Sequence, residues 1–381
     1  MQSRRMFVMF ATIAAILFVS ADRVQAAPLA VRQLYDPNEP GSVLVFPKFV
    51  RGSVGAGVPA TEFEISVHCP TALFVAGSCT LPVPGTTIRM AGHWVCPGDA
   101  SGNCKETDFI VNTTVEGTIW FNTEGVGFAN VRVPPAPCAE GFLVMWAVDT
   151  SNRPIKFDGL VGDVVLRWNS HAAASYNAIA IQASAALANG ALISLAPGGA
   201  LLFDGLPGHY AAVTGTVMST VKYDTTTPAA DAPVTTSLTL LTLDILSGAP
   251  NDTMFTDLDF YDANENVLSE STNFTCWVET PLSAIDTSLT RDFLSRKGFF
   301  VSVDATDSST GEPVTMLGLI DTQECPGTAG CTENVPVTAS NNPNIVNHYA
   351  YKTDDDSIPI PTCYAPNVTG CPVDEVLITV P

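Results

Sequence analysis

Short apolar segments rich in Val, Ile, Thr and Phe recur along this chain, and Gly, Pro, Asn and Asp separate them. Examples are SVLVFPKFV (42–50), EFEISVHC (62–69), GTIWFNTE (117–124), FANVRV (128–133), FLVMWAVD (142–149), SLTLLTLDIL (237–246) and FFVSVDAT (299–306). β-Branched and aromatic side chains fit a pleated surface, and alternation sends successive residues to opposite faces. Strands of this length with turn signals between them predict an antiparallel sandwich or barrel. The expected fold class is mainly β, as two antiparallel β-sandwich-like domains with one helix.

The helix is expected where the strand pattern breaks. No formally charged residue occurs from Trp168 to Phe203, and His171 to Asn189 is rich in Ala. Tyr176, Ile179, Ala180, Ala183 and Leu187 recur at helical spacing. Ser170 is a fitting N-cap and Asn189-Gly190 a fitting stop. A helix without charge must be covered, by a sheet or by a second copy of the chain. Self-association through 171–189 is therefore the partner expected first. A membrane span fits less well, because Asn177, Gln182 and Asn189 interrupt a short stretch.

Two segments resemble each other. GFLVMWAVDTSNRPIKFDGLVGD (141–163) and GFFVSVDATDSSTGEPVTMLGLID (298–321) both begin with Gly-Phe and an alternating strand. Both continue through a polar turn and a Pro to a second apolar strand closed by Asp. Each reads as a hairpin, and the pair reads as an internal duplication or as convergence of two hairpins. Duplication would give domains over 27–224 and 237–381, joined by the linker or exposed loop TTTPAADAPVTT (225–236).

Residues 1–26 carry Arg4 and Arg5, an apolar run from Met6 to Ala21, and the small-residue site Val24-Gln25-Ala26. This is the pattern of a secretory signal peptide cut after Ala26. Thirty-eight acids against seventeen bases give a net charge of −21. Such a chain lacks the clustered bases that nucleic acid requires. With 46% hydrophobic residues it is also too apolar to be disordered. All ten cysteines follow residue 26. Export makes disulfides the expectation. Close spacing across Pro and Gly predicts local staples at Cys69–Cys79, Cys96–Cys104, Cys325–Cys331 and Cys363–Cys371, leaving Cys138 and Cys276 to pair across a long span. No C-x-x-C and no His pair at ligand spacing suggests zinc.

Catalytic signatures are missing. The chain has no G-x-S-x-G elbow, no H-E-x-x-H and no phosphate-cradling glycine loop. The five histidines are His68, His93, His171, His209 and His348, and spacing alone does not place any of them in a triad. NDTMFTDLDFYDANENVLSE (251–270) admits two readings. Asp257, Asp259, Asp262 and Asn264 offer oxygen ligands for calcium, the one candidate cofactor. Alternatively, Met254, Thr256, Leu258 and Phe260 form the buried face of a strand, Asp257 and Asp259 lie on its solvated face, and 262–266 is the turn. Trp146 and Trp277 sit in apolar contexts and are expected in the core. Trp94, in GHWVCPG, is the candidate for an exposed ring that stacks on a glycan.

PGSVLVFPKFV (40–50) and VGDVVLRWNSHAAASYNAIA (161–180) resemble segments of uncharacterised secreted bacterial proteins. The resemblance covers about a tenth of the chain and implies an envelope or extracellular setting, with no activity attached. The function expected is a non-enzymatic, exported surface component with a structural or adhesive role. A soluble glycan- or ligand-binding module is the alternative, and an extracellular hydrolase the third reading.

Overall fold

In the computed structural model, the described residues are 33–36, 39–52, 60–70, 74–75, 78–79, 87–98, 104–128, 131–167, 173–195, 201–213, 216–221, 234–243, 254–261, 266–289, 299–307, 316–324 and 344–346. The signal-peptide segment lies outside them. So do the Cys325–Cys331 and Cys363–Cys371 staples and most of the 225–236 stretch. The chain is mainly β, in antiparallel sheets. Sheet I has the order β11 (Ile179–Ile181), β1 (Val43–Val50), β8 (Glu140–Val148), β5 (Thr87–Gly98), β6 (Cys104–Thr114). Sheet II runs β10 (Ala173–Asn177), β9 (Leu160–Arg167), β2 (Ala60–Val67), β7 (Thr118–Asn122). Sheet III runs β12 (Thr216–Val221), β17 (Phe299–Asp307), β14 (Met254–Tyr261), β15 (Val267–Phe274). Sheet IV runs β16 (Trp277–Pro281), β13 (Val234–Thr242), β18 (Met316–Glu324), β19 (Asn344–Val346). A small hairpin of β3 (Phe74–Val75) and β4 (Ser78–Cys79) and a one-turn helix, α1 (Leu282–Ile285), complete the elements.

Three buried clusters fill the spaces between sheets. Core A joins sheets I and II: Phe46, Met90, Trp94 and Met145 meet Phe63, Ile65, Phe121 and Val164. Its centre is aromatic, with Trp94 5.2 Å from Phe49, 5.3 Å from Phe63 and 6.0 Å from Phe121. Core C joins sheets III and IV through Leu258, Phe260, Val301 and Val303 against Leu238, Leu240 and Ile320. Core B lies on the other face of sheet I. There Val43, Val45, Phe142, Val144 and Ile181 meet Leu241, Trp277 and Leu317 of sheet IV. The central strands of sheets I and IV are thus covered on both faces. That is why 142–148 and 237–243 are buried at every position, whereas β2, β9 and β14 alternate.

β1 shows how the layers are tied together. Pro47 has no N–H to give a ladder, and the register against β8 shifts between Phe46 and Phe49. The groups freed by this bulge are taken up from both sides. Trp277 Nε1 donates to the Pro47 carbonyl at 2.7 Å. The Tyr176 hydroxyl donates to the Lys48 carbonyl and accepts from the Lys48 N–H. The Lys48 ammonium, 3% exposed, pairs with Glu279 at 2.8 Å. A buried ammonium is tolerated only with such a partner.

Residues 173–189 do not form a helix. β10 extends sheet II and β11 extends sheet I, each pairing an edge that would otherwise lie open. Tyr176 and Ala180 point into core A; Ile179, Ile181 and Ala183 point into core B. The apparent helical stripe therefore combines two strand faces. These apolar side chains are buried within the chain itself, together with Ile193, Leu201, Phe203 and Tyr210 that follow, while Ser175 and Asn177 are exposed and uncharged. Ile179 and Ala183 are buried in core B, so aspartate at either would break the core rather than release a subunit.

The resembling units 141–163 and 298–321 are not hairpins either. β8 lies in sheet I and β9 in sheet II, and likewise β17 lies in sheet III and β18 in sheet IV. Each unit crosses from one sheet of a pair to the other. The correspondence extends further. β1-β8-β5-β6 in sheet I has the same sequence-ordered arrangement as β12-β17-β14-β15 in sheet III. β10-β9-β2-β7 in sheet II has that of β19-β18-β13-β16 in sheet IV. β12 belongs to the second set, so that set begins at or before Thr216 rather than at 237, and β13 takes up Val234–Thr236 from the expected linker.

Candidate functional site

Trp94 is not at the surface. It is fully buried in core A, and its Nε1–H donates to the Pro134 carbonyl at 2.9 Å. Strand parity is the reason: in β5, Trp94 and Cys96 turn toward core A, while His93 and Val95 turn to the opposite face. Trp146 and Trp277 are core residues of cluster B, 7% and 3% exposed. Asp257 is exposed on β14, and Asp259 accepts from Ser269 Oγ at 2.6 Å. Met254, Leu258 and Phe260 fill core C on the other face. Asp262 and Asn264 lie outside the described residues.

The cysteine pairing differs from the expected staples. Cys96 bonds Cys138, and Cys104 bonds Cys276, across 42 and 172 residues. Cys96 and Cys104 are close in sequence, which predicts a local bridge. They cannot meet, because Cys96 faces core A and Cys104 packs on core B. Cys69 is disulfide-bonded as well, and the side chain of its expected partner, Cys79, is outside the described set.

On the core B face of the β5–β6 ladder, at its solvent margin, three side chains converge. His93 lies directly opposite Asp108. Its Nδ1 is 3.1 Å from Asp108 Oδ1 and 3.2 Å from Glu106 Oε2. The three ligand atoms all fall within 4.8 Å of one another. The imidazole is 19% exposed and packs against the Trp146 ring, centroid to centroid 4.6 Å. Glu106 and Asp108 alternate on one strand, so both project to the same face. No family model matches this chain, and no curated protein is significantly similar to it. Sequence spacing alone missed the cluster, since its ligands meet only through cross-strand register.

A second polar surface covers the outer face of sheet II. One row across the strands reads Trp120, Glu64, Asp163, Asn177, each directly opposite the next. Trp120 is half-buried, between Ile119 and Phe121, which point into core A. Burial raises the Asp163 pKa, and the carboxylate of Glu64 opposite raises it further. Beside this row, Arg167 Nε donates to Glu62 at 2.5 Å.

A third polar group is internal. Asp158 accepts from Ser42 Oγ at 2.6 Å and from the Ala183 N–H at 2.8 Å. The Lys156 ammonium lies 3.4 Å from Asp158 and donates to the Ser184 carbonyl. Tyr210 is fully buried nearby, and burial, then the charge of Asp158, drives its phenol pKa far upward. Ser42 is 0% exposed and Lys156 8%, and these groups pin the chain at the end of β11. Elsewhere His209 Nδ1 contacts Asp204 at 2.8 Å within a turn. Among the described residues no helix is long and apolar enough to cross a membrane.

Proposed function

We propose that the protein is an exported, disulfide-stabilised β-protein of the bacterial envelope or extracellular space, with a structural or adhesive role. The observation that carries this reading is the Cys104–Cys276 bridge, which spans 172 residues and ties sheet I to sheet IV. Bridges of this kind persist in oxidising compartments. The signal-like residues 1–26 agree with that address. Doubly covered central sheets make a stiff body suited to bearing load or presenting a surface. The test begins with surface shaving and nonreducing peptide mapping in the native cells, compared with a deletion strain. Mature protein starting at Ala27, with both long-range bridges intact and with loss of surface attachment on deletion, is expected. Cytoplasmic protein with free thiols would overturn it.

Glycan binding is the second reading, and the row on sheet II supports it. A half-exposed indole beside two carboxylates and an amide offers stacking and hydrogen-bond acceptors together. Under that reading Trp120→Ala abolishes retention on polysaccharide columns and leaves the melting temperature unchanged.

A further inference from the structure

We propose that His93, Glu106 and Asp108 bind one divalent transition-metal ion of the zinc class. The donor set is one imidazole nitrogen and two carboxylate oxygens. Imidazole suits zinc and its neighbours, whereas calcium and magnesium prefer oxygen alone. The two contacts at the imidazole, 3.1 and 3.2 Å, are close to the ~3.3 Å ligand–ligand edge of a tetrahedron with ~2.0–2.1 Å bonds. Asp108 is 69% exposed, which leaves the fourth position open to water.

Hydrogen bonding points to the same centre. Nδ1 carries at most one hydrogen, yet two carboxylates approach it. One N–H cannot serve both well, and the two acidic groups repel each other. A cation among the three satisfies all of them, and deprotonated Nδ1 becomes a ligand rather than a shared donor. The ligands are held ready by their frame. β5 is bound to Cys138 through Cys96, and β6 to Cys276 through Cys104. The imidazole rests on Trp146. A net charge of −21 further favours a cation. This inference stands apart from the envelope role.

The test uses the mature, oxidised protein, stripped with chelator and titrated with zinc chloride by calorimetry. One saturable site is expected, with a rise in melting temperature under excess zinc. Even the loss of an outer-shell partner costs ~10–100-fold in metal affinity, so losing a ligand costs at least about tenfold. His93→Gln and Asp108→Asn should both show that loss and no longer gain stability from zinc. Asp108 is exposed, so its variant keeps the test sound if His93→Gln disturbs packing on Trp146. His209→Gln, at the separate His209–Asp204 pair, should bind as the parent does. The absence of a saturable site, unchanged binding by both ligand variants, or equally tight calcium binding would overturn the proposal.

Discussion

Replacing Cys104 and Cys276 together by Ala separates the two ways in which sheets I and IV are joined. The bridge closes 172 residues, and chain entropy assigns such a loop about 5 kcal/mol of stabilisation through the unfolded state. Core B is the other connection, and the substitution leaves most of it in place. For a unit of about 350 residues the unfolding entropy is about 0.7 kcal/mol/K, so 5 kcal/mol corresponds to about 7 °C. Scanning calorimetry should show one transition, lowered by about that amount. Two resolved transitions would refute the argument that core B makes the sheets cooperative without the bridge. An unshifted melting curve would refute the chain-entropy contribution assigned to the bridge.

Two further outcomes follow from side chains described above. Trp94→Ala should cost about 3–5 kcal/mol in urea denaturation, because it empties the centre of core A; a loss below about 1 kcal/mol would contradict its burial. Asp163→Asn should be neutral to stabilising at pH 7. A carboxyl with a raised folded pKa contributes stability below its unfolded value near 3.8, and that contribution is lost as pH rises through the folded one. The advantage of the Asn variant should therefore appear above that window and vanish below about pH 4, as followed by melting temperature against pH.

The strands were legible because burial imposes their pattern. The period-two faces of 254–260 were readable, since one side of β14 meets core C and the other meets water. Strand parity between two buried faces was harder. In GHWVC, nothing local says whether His93 or Trp94 turns toward core A. That one choice decided the location of the exposed candidate, the Cys96 partner and the ligand cluster. FANVRV misled for another reason: among its described residues Arg132 forms an isolated bridge with Val126, and Phe128 is 77% exposed. The Ala-rich segment misled because helical spacing and two consecutive strands in different sheets select the same positions.

The matching strand orders carry a consequence for growth. Sheet I corresponds to sheet III, and sheet II to sheet IV, yet core B joins I to IV. The contact is head to tail, uniting unlike faces, and an interface of that kind contains no built-in end. A third unit would dock on the outer face of sheet III or of sheet II. Those faces carry Asp257 and Asp259 at one end and Glu62, Glu64 and Asp163 at the other. Polar outer faces cap a stack of repeats. Both outer faces carry carboxylates, so a further copy docking by the same head-to-tail contact would meet like charge at either end.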